Sequence, residues 1–166
     1  MLGIMQDWPL TVNKILEHAK RINPTREIIT RRVEGHIVRT TYANLFDQSK
    51  QVSNALIDSG IQLGDRVATL GWNSERHMAS WYGAMGIGAV LHTINIRLFT
   101  EDLVYIINHA GDKVILVDPD LVPILEPLVP QLESVEHFII MTGDRNFSTA
   151  LPSAHIYEDL LSGVTD

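Results

Sequence analysis

Cysteine is absent from all 166 residues, which removes disulfides, thiol nucleophiles and thiolate metal sites together and fits a reducing compartment. Aromatic residues make up only 7% of the chain, and no lysine or arginine stripe is interleaved with them. With a net charge of -7, nonspecific nucleic-acid binding is disfavoured, and Lys20-Arg21 and Arg31-Arg32 are too short to argue from. No apolar run approaches the roughly 18 residues of a transmembrane helix, and Met1 to Pro9 lacks the charged-then-apolar plan of a signal peptide. A cytoplasmic protein with no transmembrane segment and no nucleic-acid partner is therefore expected. The seven histidines show no HExxH, HxH or nearby carboxylate spacing, so no metal site is expected.

The chain does hold 45% apolar and 20% charged residues, an ordinary balance for an α/β protein of one domain by length, which would bury about 70% of its unfolded surface. Leu10, Val12, Ile15, Leu16 and Ala19 form an apolar stripe, with Thr11 as cap, that predicts a helix to about Ile22. Asn23-Pro24 ends it. Glu27 to Arg32 and His36 to Thr41 flank Glu34-Gly35 and read as a hairpin. Arg31, Arg32 and Arg39 read as its solvated face rather than a phosphate site. Thr41 can cap a helix with Leu45, Ser49, Val52, Ala55 and Leu56 on one side and Gly60 at its exit. A strand from Arg66 to Leu70 follows. Asn73 or Ser74 caps a helix whose Met78, Trp81, Tyr82 and Met85 read as core, while Ala79, Gly83, Ala84 and Gly86 keep one face small for close packing.

The stretch from Ala84 to Asp118 organises the rest. Ala89-Val90-Leu91 does not alternate, which suits a parallel strand covered on both faces. After a polar turn, Thr100 can cap a helix carrying Leu103, Ile106, Ile107 and Ala110, with Glu101 and Asp102 in its first turn. Gly111 stops it, and Lys113 to Asp118 gives a second apolar run, completing strand, helix, strand. Leu121 to Leu132 reads as a helix broken by Pro123, Pro127 and Pro130, His137 to Met141 as a buried strand, Thr142 to Pro152 as a loop, and Ile156 to Leu161 as the start of a helix. The predicted class is α/β, a largely parallel sheet flanked by helices with an N-terminal β-hairpin.

Gly83, Gly86 and Gly88 close a helix and precede a strand, the reverse of a dinucleotide fingerprint. His92 ends a strand at the carboxyl edge, where open sheets place ligands, yet reads better as a hydrogen-bonded structural histidine. His109 can satisfy carbonyls at a helix end. Asn95 is most easily a turn former and Arg97 an ion-pair or rim residue.

The string LHTINIRLFTEDLVYIINHAGDKVILVD, Leu91 to Asp118, resembles the early core motif of adenylate-forming enzymes, in the wording of their fatty acyl-CoA ligase branch. Arg39-Thr40-Thr41-Tyr42-Ala43-Asn44-Leu45 resembles their "T-Y-x-E-L" motif with Asn44 in place of the acid, and Gly64-Asp65-Arg66-Val67 matches "G-D-R-V". The resemblance covers nearly the whole chain. It implies the first subdomain of the large domain of an acyl-CoA synthetase-like fold, with residues 1–166 its N-terminal part. Intact relatives use ATP, Mg and CoA to turn a fatty acid into acyl-CoA through an acyl-adenylate, and they are commonly homodimers.

The family's phosphate loop ending in Pro-Lys-Gly, its Mg-binding glutamate and its C-terminal lysine do not occur in this sequence. No catalytic, cofactor or metal residue is therefore assigned; His92, Asn95 and Arg97 are candidates for the rim alone. The chain by itself is expected to be inactive, to bind none of the cofactors and to self-associate through unpaired strand edges. Rival readings are an aryl-CoA ligase, a peptide-synthetase adenylation domain, or a complete noncatalytic binding or oligomerisation module.

Overall fold

A computed structural model describes residues 7–163. Helix α1, Asn13–Ile22, leads into an antiparallel hairpin, β1 (Glu27–Arg31) and β2 (Ile37–Thr41), whose turn uses Gly35 at φ +96°. Helix α2, Tyr42–Asp58, starts where the Thr41 hydroxyl accepts the Asn44 N–H at 3.2 Å. Strand β3 (Arg66–Leu70), helix α3 (Glu75–Gly86), strand β4 (Val90–Thr93), helix α4 (Thr100–Ala110) and strand β5 (Asp112–Val117) then alternate. Ser74 caps α3 through the His77 N–H, and α4 ends on Gly111 in the left-handed region, φ +66°, which costs glycine nothing. A short helix α5, Val122–Leu125, lies between two 3-10 turns at the prolines. Strand β6 (His137–Ile140), strand β7 (Ala154–Ile156) and helix α6 (Tyr157–Ser162) close the described chain.

The main sheet is five-stranded and parallel, in the order β4-β3-β5-β6-β7. Its central strands are apolar at nearly every position because each face has its own core. On one face Val67, Val114, Leu116 and Ile139 meet Leu16 of α1, Leu45, Val52 and Leu56 of α2, Ala79 and Tyr82 of α3, and Tyr157 of α6. On the other, Ala68, Leu70, Ile115, Val117 and Phe138 meet Leu103 and Ile107 of α4 and Leu121, Val122 and Leu125 around α5. That double cover is what removes alternation from a strand.

Several expectations are corrected. The Ala89-Val90-Leu91 run is not covered on both faces. β4 is the sheet's edge, paired with β3 alone, and Val90 is 51% exposed. Thr100 is the first helical residue of α4, and Phe99 holds the cap position without a side-chain bond. Thr11 does not cap α1 either: it offers its carbonyl to Lys14, and Val12 is already helical. Of the α1 stripe only Leu16 is buried, while Leu10 and Ile15 face outward. β7, three residues long, had no pattern by which to read it.

Candidate functional site

Chain order and strand order diverge around β3. The chain goes from β3 out to the edge at β4, then returns to the opposite side of β3 for β5. Such a switch point leaves a crevice at the carboxyl ends of the strands, the usual ligand position in open α/β sheets. Gly71 and Trp72 lie at this crevice after β3, Asp118 after β5, and Met141 and Thr142 after β6.

Asp118 is buried there and accepts the Trp72 N–H at 2.6 Å. A Cβ at Gly71 would meet the Asp118 carboxylate at 3.1 Å and the Met141 methyl at 2.6 Å, so a side chain there would require the methionine to move and the carboxylate to give. Burial pushes the Asp118 carboxyl up to about 6, helped by Asp120 and opposed by the Trp72 N–H and by Arg76. An acid with a raised folded pKa stabilises the fold fully below its unfolded value and loses that contribution as pH rises through the folded one. Asp118→Asn keeps an acceptor for Trp72 and removes the charge. It should gain about 1–3 kcal/mol over the parent near pH 7.5, allowing for partial screening, with the gain fading toward pH 4. Thermal melts at the two pH values check the sign and the trend.

Beside Asp118 lies a cluster of five charges. Arg76, 2% exposed, donates to Glu34 of the hairpin turn at 2.8 Å, to Glu158 of α6 at 2.5 and 2.9 Å, and to the Met141 carbonyl at 2.6 Å. Arg32 pairs with buried Glu75 and lies 3.6 Å from Glu158. Burial alone would raise the Glu34 pKa, but the Arg76 hydrogen bond and the charges of Arg76 and Arg32 hold it below the usual carboxylate range. Burial also opposes the Arg76 charge, and Glu34 and Glu158 outweigh it. Arg32 is thus not part of a solvated face; Arg31 and Arg39 are exposed. The two guanidinium groups are spent on carboxylates, and among the described residues no three His, Asp or Glu stand together as a metal site.

Adjoining the crevice, a groove of about 580 Å³ runs between β1 and α3, lined by Ile28, Ile29, Met78, Trp81 and Tyr82, with Ser74 and His77 among its polar groups. His77 sets Nδ1 3.0 Å from the Trp72 carbonyl and Nε2 2.9 Å from the Thr69 hydroxyl. A carbonyl only accepts, so Nδ1 carries the proton and Nε2 of the neutral ring accepts from Thr69. Burial holds this histidine below its ordinary pKa.

The groove corrects the reading of α3. Met78 is exposed and Trp81 half-buried, edge-on to Tyr82 at 5.0 Å. The small face, Ala79, Gly83 and Ala84, is in the core, and of the aromatic and methionine stripe Tyr82 is buried with it, as expected. The 3–5 kcal/mol that a buried Trp81 would imply therefore falls. Trp81→Ala should cost about 1–2 kcal/mol in denaturant melts, half a ring's burial plus the edge contact.

Of the sequence-derived rim residues, His92 and Asn95 have hydrogen-bond partners within this chain. His92 is turned along the sheet to the buried Asp112, with Nδ1 to Oδ2 at 2.7 Å, and burial raises the Asp112 pKa despite that bond. Asn95 accepts the Arg97 N–H in the turn after β4, and Arg97 is exposed. His109 stacks on Tyr105 at 5.4 Å. The charge cluster escaped sequence reading; its one signal was Glu75-Arg76 set immediately before the small-residue face of α3.

A description of one family, AMP-binding enzyme, matches residues 16–160. The chain belongs to the AMP-binding enzyme family. Among AMP-binding relatives, the 3-methylmercaptopropionyl-CoA ligase of Ruegeria lacuscaerulensis is 39% identical over all of this chain and 31% of its own length. The long-chain-fatty-acid–CoA ligase of Thermus thermophilus is 41% identical over 82% of the chain and 25% of its own length. The medium-chain-fatty-acid–CoA ligase of Ectopseudomonas oleovorans is 36% identical over 97% and 30%. The chain thus spans about three tenths of the length of these relatives. Its fold is shared by the anthranilate CoA ligase AuaEII in complex with anthranoyl-AMP, with a TM-score of 0.81 at 21% identity over 96% of the chain and 30% of that structure. The N-terminal domain of FACL13 from Mycobacterium tuberculosis gives 0.77 at 24% identity over 95% and 37%.

Proposed function

We propose that these 166 residues are the N-terminal part of the large domain of an acyl-CoA ligase that activates a linear aliphatic carboxylic acid of the fatty-acid class. The whole enzyme would join the acid to ATP as acyl-adenylate, releasing pyrophosphate, and then transfer the acyl group to the CoA thiol, releasing AMP. The observation that carries this is the 36–41% identity over 82–100% of the chain to ligases whose acyl groups are long-chain, medium-chain and 3-methylmercaptopropionyl. None of the three names an aryl acid, and the anthranilate ligase, an aryl-acid neighbour, shares the fold alone.

His92, Asn95 and Arg97 are assigned to the rim of the composite site and not to its chemistry. The phosphate-binding groups are assigned to sequence outside this chain, because the arginines near the switch point already pair with carboxylates. A cytoplasmic location and a homodimer belong to the same reading; the unpaired outer edge of β4 supports self-association.

Two measurements test it. Calorimetry with MgATP and a fatty-acid-dependent pyrophosphate-release assay on the 166-residue chain should show neither micromolar binding nor turnover above the blank, since scattered cations without a glycine-rich cradle do not bind a triphosphate. Turnover by the chain alone would promote the complete-module reading. Pyrophosphate release by the full product of the gene should be faster with decanoate, palmitate or 3-methylmercaptopropionate than with benzoate. Preference for benzoate would transfer the assignment to the aryl-CoA ligases.

A further inference from the structure

Charge is divided unevenly along the chain. Residues 1–39 hold seven of the 13 lysines and arginines but four of the 20 acidic residues, so this stretch is net positive in a chain of -7. The structure gathers the surplus on one surface. In the hairpin, Ile29 faces Arg39 and Arg31 faces Ile37 across the two strands. Opposed residues, and residues two apart, share a face. Glu27, Ile29, Arg31, Ile37 and Arg39 therefore share one side, where Glu27 and Arg39 pair at 2.8 Å, while Ile28, Thr30 and Val38 turn the other side toward the body. On that outer side Ile29 is 57% and Ile37 64% exposed.

The pattern continues onto α1. Ile15 and Ile22, seven residues apart and so on one helical stripe, are 62% and 57% exposed. Ile22, Pro24, Arg26 and Ile29 line a common groove of about 610 Å³ between the end of α1 and β1. Arg21, Arg26 and Arg31 are exposed and, among the described residues, make no ion pair. The platform beneath is fixed, since Tyr42 N–H donates to the Arg26 carbonyl and Ala43 N–H to that of Pro24.

We infer that this face, the outer side of the hairpin with the exposed stripe of α1, is a docking surface for an anionic lipid bilayer. Four half-exposed isoleucines supply aliphatic anchors, and three unpaired guanidinium groups on long stems can reach phosphate headgroups while the stems lie among acyl chains. Charge decides among occupants. A second copy meeting this face with its own would set like charges together, and none of the residues named on this face is an aromatic on which a nucleic-acid base could stack. An anionic leaflet attracts each nearby Lys or Arg at close range, whereas a neutral one does not. No helix among the described residues is long and apolar enough to cross a membrane, so the contact would be interfacial.

The test is flotation of the 166-residue chain with vesicles at low ionic strength. The chain should float with mixed phosphatidylglycerol and phosphatidylcholine vesicles, stay in solution with pure phosphatidylcholine, and be released by salt. Arg26→Gln and Arg31→Gln should each lower partitioning about fivefold, and Ile29→Glu with Ile37→Glu should abolish it. These side chains are exposed, so circular-dichroism melts of all variants should overlay the parent. The arginine variants carry the test if the double glutamate variant melts early. Absence of flotation with phosphatidylglycerol, equal flotation with pure phosphatidylcholine, or unchanged flotation of the arginine variants would overturn the inference. So would binding to soluble polyglutamate as tight as to vesicles, which would assign the surface to an acidic protein.

Discussion

Arg76→Met should destabilise the chain by about 3–5 kcal/mol, the cost of removing one partner from a buried ion cluster. The loss is large because of what remains. Glu34 and Glu158 would keep their negative charges beside buried Glu75, with Arg32 alone to balance all three. Glu75 and Glu158 each already hold one buried carboxylate oxygen without a partner, so the cluster has no spare donor to redistribute. The Met141 carbonyl would lose its donor as well. Glu34→Gln, on the half-exposed rim of the same cluster, should cost about 1 kcal/mol, because an amide oxygen still accepts from Arg76. Denaturant melts of both, with the double variant closing a cycle, measure the coupling directly. A cost under about 1 kcal/mol for Arg76→Met would mean that packing, not the ion cluster, docks the hairpin.

Gly83→Val is the second large effect, expected at about 3 kcal/mol or more. A Cβ at Gly83 would sit 2.7 Å from Val52 Cγ1 and 2.9 Å from the Ser49 carbonyl oxygen. The second neighbour is helix backbone and cannot swing aside. Replacing a mid-helix glycine normally gains up to about 1 kcal/mol of helix propensity, so the competing terms are of opposite sign and the clash wins. Two added methyls force α2 and α3 apart along the contact that holds one core together. Gly143→Ala, whose Cβ would meet nothing closer than 3.5 Å, serves as the control and should stay within about 0.5 kcal/mol. If the two variants melt alike, the close approach of the helices is not what fixes Gly83.

The elements written plainly in the sequence are those whose burial is uniform. β5 and β6 are buried on both faces and carry the unbroken apolar runs Val114 to Val117 and Phe138 to Ile140, and α2 buries Leu45, Ser49, Val52, Ala55 and Leu56 in one clean stripe. Where an apolar run lies at an edge, the same letters mislead. Val90 has a neighbour on one side alone, and Met78 and Trp81 face a groove instead of the core, because periodicity reports which residues share a face but not what covers it. The caps divide for a local reason: Thr41 and Ser74 precede their helices in extended conformation and reach the third N–H, whereas Thr100 is already inside its helix.

Of the site, the position at the carboxyl ends was legible from the β-α-β order, and the charge cluster was not. Glu34, Arg76 and Glu158 come from three elements far apart in sequence, and no spacing rule joins them. Ile15 of α1 belonged to the apolar stripe read from the sequence yet is exposed, for the complementary reason that a stripe facing outward has the same period as one facing in.

That separation along the chain sets an order of events during synthesis. Arg76 lies 42 residues after Glu34 and 82 before Glu158, so a nascent chain holds both strands of the hairpin, and the arginine that fastens them, well before the last carboxylate has left the ribosome. At roughly 5–20 residues per second, that interval lasts several seconds. Through it the arginine has one of its two acidic partners, and until residue 140 has been made β6 is not there to pair with β5. The vulnerable period for this sequence is the one between residue 76 and residue 158, when a chaperone that holds apolar surface would find the most to grip.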